Sequence, residues 1–188
     1  MTSEQTGGDV VDVLVADHRD VTALISEIRT VADPMIRRDL TDTVISELVR
    51  HAVAEEMYVY PAMRKYLPDG EKAVEHDVEE HKELEQAMKR LEDVDVSSAA
   101  FTAALGRLEE LLADHVRDEE VDQFPELRRR VPPAELTELA GKVETAKKLA
   151  PTRPHPAAPN SELFHKLVGP GVGLVDRLRD KLSGRVTR

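Results

Sequence analysis

The chain has 188 residues, room for one domain and a tail. It carries 26 Lys/Arg against 37 Asp/Glu, a net charge of −11, with 3 % aromatic residues and no Cys. The missing Cys excludes disulfide scaffolds, zinc ribbons, thiol nucleophiles and iron–sulfur clusters, and the acidity argues against a nucleic-acid binder. No apolar run nears the roughly 18–20 residues that span a bilayer, and no signal-peptide core follows Met1, so a cytoplasmic protein is expected.

Apolar periodicity predicts a row of helices. Asp9 can cap a first helix whose stripe is Val11, Leu14, Val21, Ile25 and Ile28. Asp33-Pro34 reads as a cap followed by proline in the first helical turn, opening a long second helix to about Tyr66. Pro68-Asp69-Gly70 is a turn, with Asp69 capping a third helix to about Leu91. Ser97 starts a fourth helix to about Arg130, and Pro132-Pro133 opens a shorter fifth to about Leu149. Pro151 to Pro159 is a proline-rich linker, Gly169 to Gly173 a hinge, and Leu174, Leu178 and Leu182 mark a last short amphipathic helix. No segment alternates with period two. The expected fold is all-α: an up-down-up-down four-helix bundle of two repeated hairpins over residues 9–131. It is followed by an additional helix (132–150), a Pro/Gly-rich linker (151–173) and a short basic amphipathic helix and tail (174–188).

Charge divides unevenly along the chain. From 151 onward seven Lys/Arg face three Asp/Glu, a net +4, so the first 150 residues carry −15. The tail is either a solvated appendage, a strap for its own acidic body, or an arm for a partner or an anionic membrane. A monomer is expected, with the last helix able to pack in trans.

The sequence repeats itself. An offset of 63 lays Val11 on Val74, His18 on His81, Val21 on Leu84 and Ile25 on Met88. An offset of 64 lays Leu48 on Leu112, His51 on His115, Glu55 on Glu119, Glu56 on Glu120 and Tyr60 on Phe124. The shared segment stands as HAVAEEMYVYP and HVRDEEVDQFP. In the second helix the stripe runs Leu40, Val44, Leu48, His51, Glu55, and in the fourth Leu105, Leu108, Leu112, His115, Glu119. His and Glu four apart share one helical face, so both continue the apolar stripe into the bundle. His18 and His81 interrupt the stripes of the first and third helices in the same way. An unpaired carboxylate buried there costs several kcal/mol or becomes protonated. A cation removes that penalty, and imidazole with carboxylate suits iron, manganese or zinc. The metal-free alternative is a buried His–Glu layer that fixes helix register.

These residues resemble the hemerythrin-like family, the HHE cation-binding domain, over roughly residues 10–130. The resemblance implies a four-helix bundle holding two non-haem iron ions with an oxo or hydroxo bridge. The implied ligands are His18, His51, Glu55, His81, His115 and Glu119, with Glu55 and Glu119 as the bridging carboxylates. The third helix departs from the family pattern of two His four apart. Here His76 and His81 are five apart, which turns His76 about 140° away on a straight helix. A π-bulge between them would bring His76 in as a further ligand; otherwise Glu85 or solvent completes the set, and Asp77 and Glu85 lie four residues either side of His81. Glu56 and Glu120 can accept hydrogen bonds from ligand imidazoles, and Tyr58 or Tyr60 can approach the metal.

A His-rich site has fewer carboxylates than the Glu-x-x-His di-iron oxygenases. It therefore favours binding O2, peroxide or NO, in sensing, storage or detoxification, with peroxide decomposition as a possible activity. The alternative is an iron-responsive regulatory or interaction module whose metal occupancy controls stability or tail exposure. Zinc or manganese hydrolysis is a weaker option, since no Ser/His/Asp constellation or phosphate-binding loop is recognisable.

Overall fold

The structure is a computed structural model that describes residues 8–150. The linker and basic helix expected over 151–188, with His155 and His165, lie outside the described residues.

Three of the long helices start where a side chain satisfies their first free N–H groups. Helix α1 (Val10–Thr30) opens on a reciprocal cap: the Asp9 side chain accepts from the Asp12 N–H, and Asp12 accepts from the Asp9 N–H. Helix α2 (Pro34–Ala54) follows Asp33, whose carboxylate accepts from the N–H groups of Met35 and Ile36. Helix α4 (Gly70–Asp93) starts after Asp69, which makes no side-chain cap hydrogen bond, contrary to the expectation from sequence. Only its backbone carbonyl is used, accepting from Ala73 N. Helix α5 (Ala99–Asp118) is capped by Ser98, one residue later than expected, through the Phe101 N–H. Helix α7 (Pro133–Leu149) follows Pro132.

The two long rods are not regular α-helices. Between α2 and α3 (Tyr60–Tyr66) the backbone passes through a π-helical turn, Glu55–Val59. Between α5 and α6 (Phe124–Arg130) it does so again at Glu119–Gln123. In each case the N–H of the aromatic residue reaches five back, Tyr60 to Glu55 and Phe124 to Glu119. The cause stands in both repeats one residue later: Pro61 and Pro125 bring no N–H and crowd the carbonyl four residues back. A widened turn ahead of the proline accommodates that defect, and it brings residues five apart onto one face.

Helix α1 packs along α2, and α4 along α5, as two hairpins; α7 lies against α1 and α2. Two apolar clusters result. One holds Val21, Ile25, Leu48, Leu84, Met88 and Leu112. The other holds Leu14, Val59, Tyr60, Val74, Phe124 and the apolar face of α7. Between them every one of the four main rods carries a buried polar residue: His18, His51 with Glu55, His81, and His115 with Glu119. The all-helical bundle with an extra helix is the fold the periodicity predicted. Among the described residues no helix is long and apolar enough to cross a membrane.

The turn between α3 and α4 sets how closely the rods approach. A Cβ at Gly70 would stand 2.1 Å from the Met63 carbonyl oxygen. Gly70→Ala should therefore cost about 1–3 kcal/mol through backbone displacement. Gly141→Ala on α7 meets nothing within 4 Å among the described residues and should stabilise by about 0.5–1 kcal/mol. Urea denaturation of the two variants checks the opposite signs.

Candidate metal centre

The polar layer is built from four imidazoles and two carboxylates. Glu55 and Glu119 are fully buried, and the four His are at most 4 % exposed. Glu55 Oε2 stands 3.2 Å from His51 Nε2 and 3.4 Å from His81 Nε2. Glu119 Oε2 stands 3.2 Å from His18 Nε2 and 3.6 Å from His115 Nε2. Each carboxylate therefore lies between one imidazole of each hairpin, and the internal repeat exchanges the two arrangements. His18 Nε2 and His51 Nε2 face each other at 3.2 Å. Within this six-residue layer, ligand atoms within 4.8 Å of one another fall into two neighbouring sets: His18, His51, Glu55 and Glu119, then Glu55, His81 and His115.

The inward direction of Nε2 has a cause on the other side of each ring. Every Nδ1 is held by a carboxylate. His18 meets Glu120 at 2.8 Å, His81 meets Glu56 at 3.0 Å, His51 meets Asp17 at 3.2 Å and His115 meets Glu80 at 2.9 Å. An Nδ1–H donated to a carboxylate leaves the Nε2 lone pair for the interior and raises its basicity. Glu56 and Glu120 were expected from sequence. Asp17 and Glu80 were not, although both stand one residue before a repeated His and the 63-residue offset superimposes them.

The repeat is broken in three places around the second set. Tyr60 stacks on His81 with its Oη 3.2 Å from Nε2, whereas its counterpart Phe124 stacks on His18 without a hydroxyl. Asp77, fully buried, accepts from Gln123 Nε2 at 2.8 Å; their counterparts in the first half are the apolar Leu14 and Val59. Tyr60 rather than Tyr58 thus approaches the centre, because the π turn aligns it with Glu55. Glu85 lines a cavity beside His81.

His76 is not brought to the buried centre. Its side chain is 57 % exposed and pairs with Glu80 and Asp118. Helix α4 runs as uninterrupted α-helix through both His, so five residues turn His76 away from the His81 face. The π turns fall in the other two rods, at Glu55 and Glu119, where the prolines require them.

The charges in this layer are mutually dependent. Burial alone would lower the His51 pKa, but Glu55 and Asp17 outweigh it and lift it to about 10. His81 is likewise raised against burial by Glu55 and Glu56, and His115 by Glu119 and Glu80. Burial works to raise Glu55, yet His51 and His81 hold it well below the usual carboxylate range. Burial pushes Asp77 up to about 7, against the Gln123 hydrogen bond. Protonated imidazoles would supply the positive charge that a cation otherwise brings to this layer. The fit to a metal is nonetheless better than the fit to protons. Among the described residues, the imidazole contacts of Glu55 and Glu119, at 3.2 to 3.6 Å, lack hydrogen-bond alignment, and His115 Nε2 has only its ion-pair contact with Glu119. Orphaned buried carboxylates are costly, and four nitrogen and two carboxylate donors suit a transition metal.

The model of the hemerythrin HHE cation binding domain matches residues 9–127. The chain belongs to this family. Among hemerythrin-like relatives, an uncharacterised protein of Schizosaccharomyces pombe is 30 % identical over 175 residues, 93 % of this chain and 86 % of that one. A protein of Nostoc described as a DNA nickase is 26 % identical over 145 residues, 77 % of this chain but 41 % of its own length. A crystal structure of a hemerythrin HHE cation binding domain-containing protein from Mycobacterium kansasii superimposes with a TM-score of 0.65 at 23 % identity, covering 75 % of this chain and 86 % of that one. That likeness establishes the fold.

Protons in place of metal have a measurable consequence. His51 has a folded pKa above its unfolded value near 6.5, so its stabilising contribution is complete below about pH 6.5 and is lost as pH rises through about 10. Metal-free protein should lose thermal stability between pH 6.5 and 10. Metal binding at pH 7.5 should release protons, read by titration calorimetry in buffers of different ionisation enthalpy.

Proposed function

We propose that this hemerythrin-like chain holds two iron ions between His18, His51, Glu55, His81, His115 and Glu119, and that it binds O2, peroxide or NO there. Sensing, storage or detoxification of these species, including peroxide decomposition, is the role in view. The observation that carries the reading is the pair of fully buried carboxylates, Glu55 and Glu119, each set between imidazoles of both hairpins with no well-aligned hydrogen bond to either oxygen among the described residues.

Iron supplies reversible ligand binding and electron exchange when bound. The chain supplies the rest. Glu120, Asp17, Glu56 and Glu80 fix the four rings through Nδ1. Tyr60 offers a hydroxyl proton beside His81. A cavity of about 20 Å³ adjoins the centre, walled by His51, His81 and His115 and by Leu48, Leu84 and Leu112. That is room for a molecule of about the size of water or a diatomic gas, and too little for an organic substrate. DNA nicking is not part of this reading: the Nostoc match spans 41 % of that protein, and the net −11 opposes phosphate contact.

Anaerobic reconstitution of the full chain with ferrous ion should give about two iron per chain and, on exposure to O2, a near-ultraviolet charge-transfer band. Peroxide or NO should alter the spectrum. A wild-type chain that takes up no iron, or a His51→Ala variant with full metal content, would refute the assignment.

One contact favours a second, regulatory reading. Lys147 on α7 donates to Asp17 Oδ1, while the other oxygen of Asp17 lies against His51 Nδ1. Metal occupancy at His51 is thereby linked to the docking of α7, the helix that leads into residues 151–188. Limited proteolysis of that tail should then slow on iron loading, and Lys147→Met should abolish the difference. Equal cleavage with and without iron removes this reading.

A further inference from the structure

We infer that His76, Glu80 and Asp118 form a surface site for a divalent cation through which metal enters the buried centre; the inference rests on the metal-centre reading above. His76 Nε2 lies 3.2 Å from Asp118 Oδ2 and 3.4 Å from Glu80 Oε1, and the three ligand atoms fall within 4.8 Å of one another. Arg117 reaches only the other oxygen of Asp118, Oδ1, at 3.4 Å. His76 is the exposed member, Glu80 and Asp118 being 18 % and 31 % exposed.

The site is the outermost of a connected series. Glu80 turns its second oxygen inward to His115 Nδ1 at 2.9 Å. Asp77, Glu80 and His115 make the next donor set, and Asp77 is fully buried, its Oδ2 without a hydrogen-bond partner among the described residues. His115 then belongs with Glu55 and His81 in the centre itself. Each set shares a residue with the next, so a cation moving inward exchanges ligands stepwise. It is never stripped of anionic and imidazole donors at once. A route of this kind is needed, because taking a bare dication through apolar clusters carries a large desolvation cost.

The internal repeat supplies the comparison. In the first hairpin the positions of His76, Asp77 and Asp118 are occupied by Val13, Leu14 and Ala54, all without ligand atoms. The counterpart of Glu80 is Asp17, and there Lys147 occupies the outer side. The centre's ligands are duplicated in both halves, whereas the His76, Asp77 and Asp118 donors around Glu80 have no donor counterparts around Asp17. Departures at three positions that all lie on one path are what an entry route requires. A symmetric structural layer does not require them.

The test uses metal-free full-length protein, mixed anaerobically with ferrous ion in a stopped-flow instrument. His76→Ala and Asp118→Asn should reach wild-type iron content but load at least about tenfold more slowly, the scale of effect seen when groups around a metal site are removed. Asp20→Asn, on the acidic face of the other hairpin, should load at the wild-type rate. Manganese titration followed by the resonance of the free ion should show an additional weak site on iron-loaded protein that His76→Ala removes. Wild-type loading rates in both variants, equal slowing by Asp20→Asn, or manganese binding indifferent to His76 would each overturn the entry site. A wild-type chain that takes up no iron defeats the centre itself, and the entry route with it.

Discussion

Two buried carboxylates, shut away from bulk solvent among imidazoles, govern this structure. Glu55 and Glu119 sit between two apolar clusters, and everything around them answers to that placement. Four imidazoles turn Nε2 toward them, and four further carboxylates turn those imidazoles. A bundle stabilised by burial alone would fill this layer with Leu and Val, as the layers on either side are filled. Its polar content is a net cost to the fold unless a cation completes it. Metal binding proposed at these six side chains would therefore act on stability through the same groups.

The π turns show how backbone and site are joined. Each begins at the buried Glu and ends just before a proline. The proline dictates the widening, and the widening decides which residue shares a face with the Glu. It selects Tyr60 over Tyr58 and Phe124 over Asp122. A regular helix through the same sequence would present a different aromatic to His81.

The bundle, the six-residue centre and the approximate two-fold axis were all legible in the sequence, because heptad-like stripes and two offsets of nearly equal length superimpose the same residue types. Glu56 and Glu120 followed from adjacency to the Glu ligands. Asp17 and Glu80 escaped notice because residues flanking a His look like ordinary surface charge until the repeat is read for acids as well as for ligands. His76 enters the expected ligand set from the family pattern of two His on the third helix. Its actual neighbours, Glu80 and Asp118, come from a turn of its own helix and from α5, and only the three-dimensional crossing brings Asp118 there. The π turns were written in Pro61 and Pro125, which periodicity alone does not weigh.

Helix α7 gives the centre a polarity that its ligands lack. The ammonium of Lys147 ends the chain of contacts behind His51, while the chain behind His115 ends in Glu80 with the exposed imidazole of His76. Two positions with matched donors are thereby held in unequal surroundings, one backed by a fixed positive charge and packed helix, the other by carboxylates open to solvent. The duplicated hairpins have become a front and a back, so a molecule built from two copies of one motif has a direction.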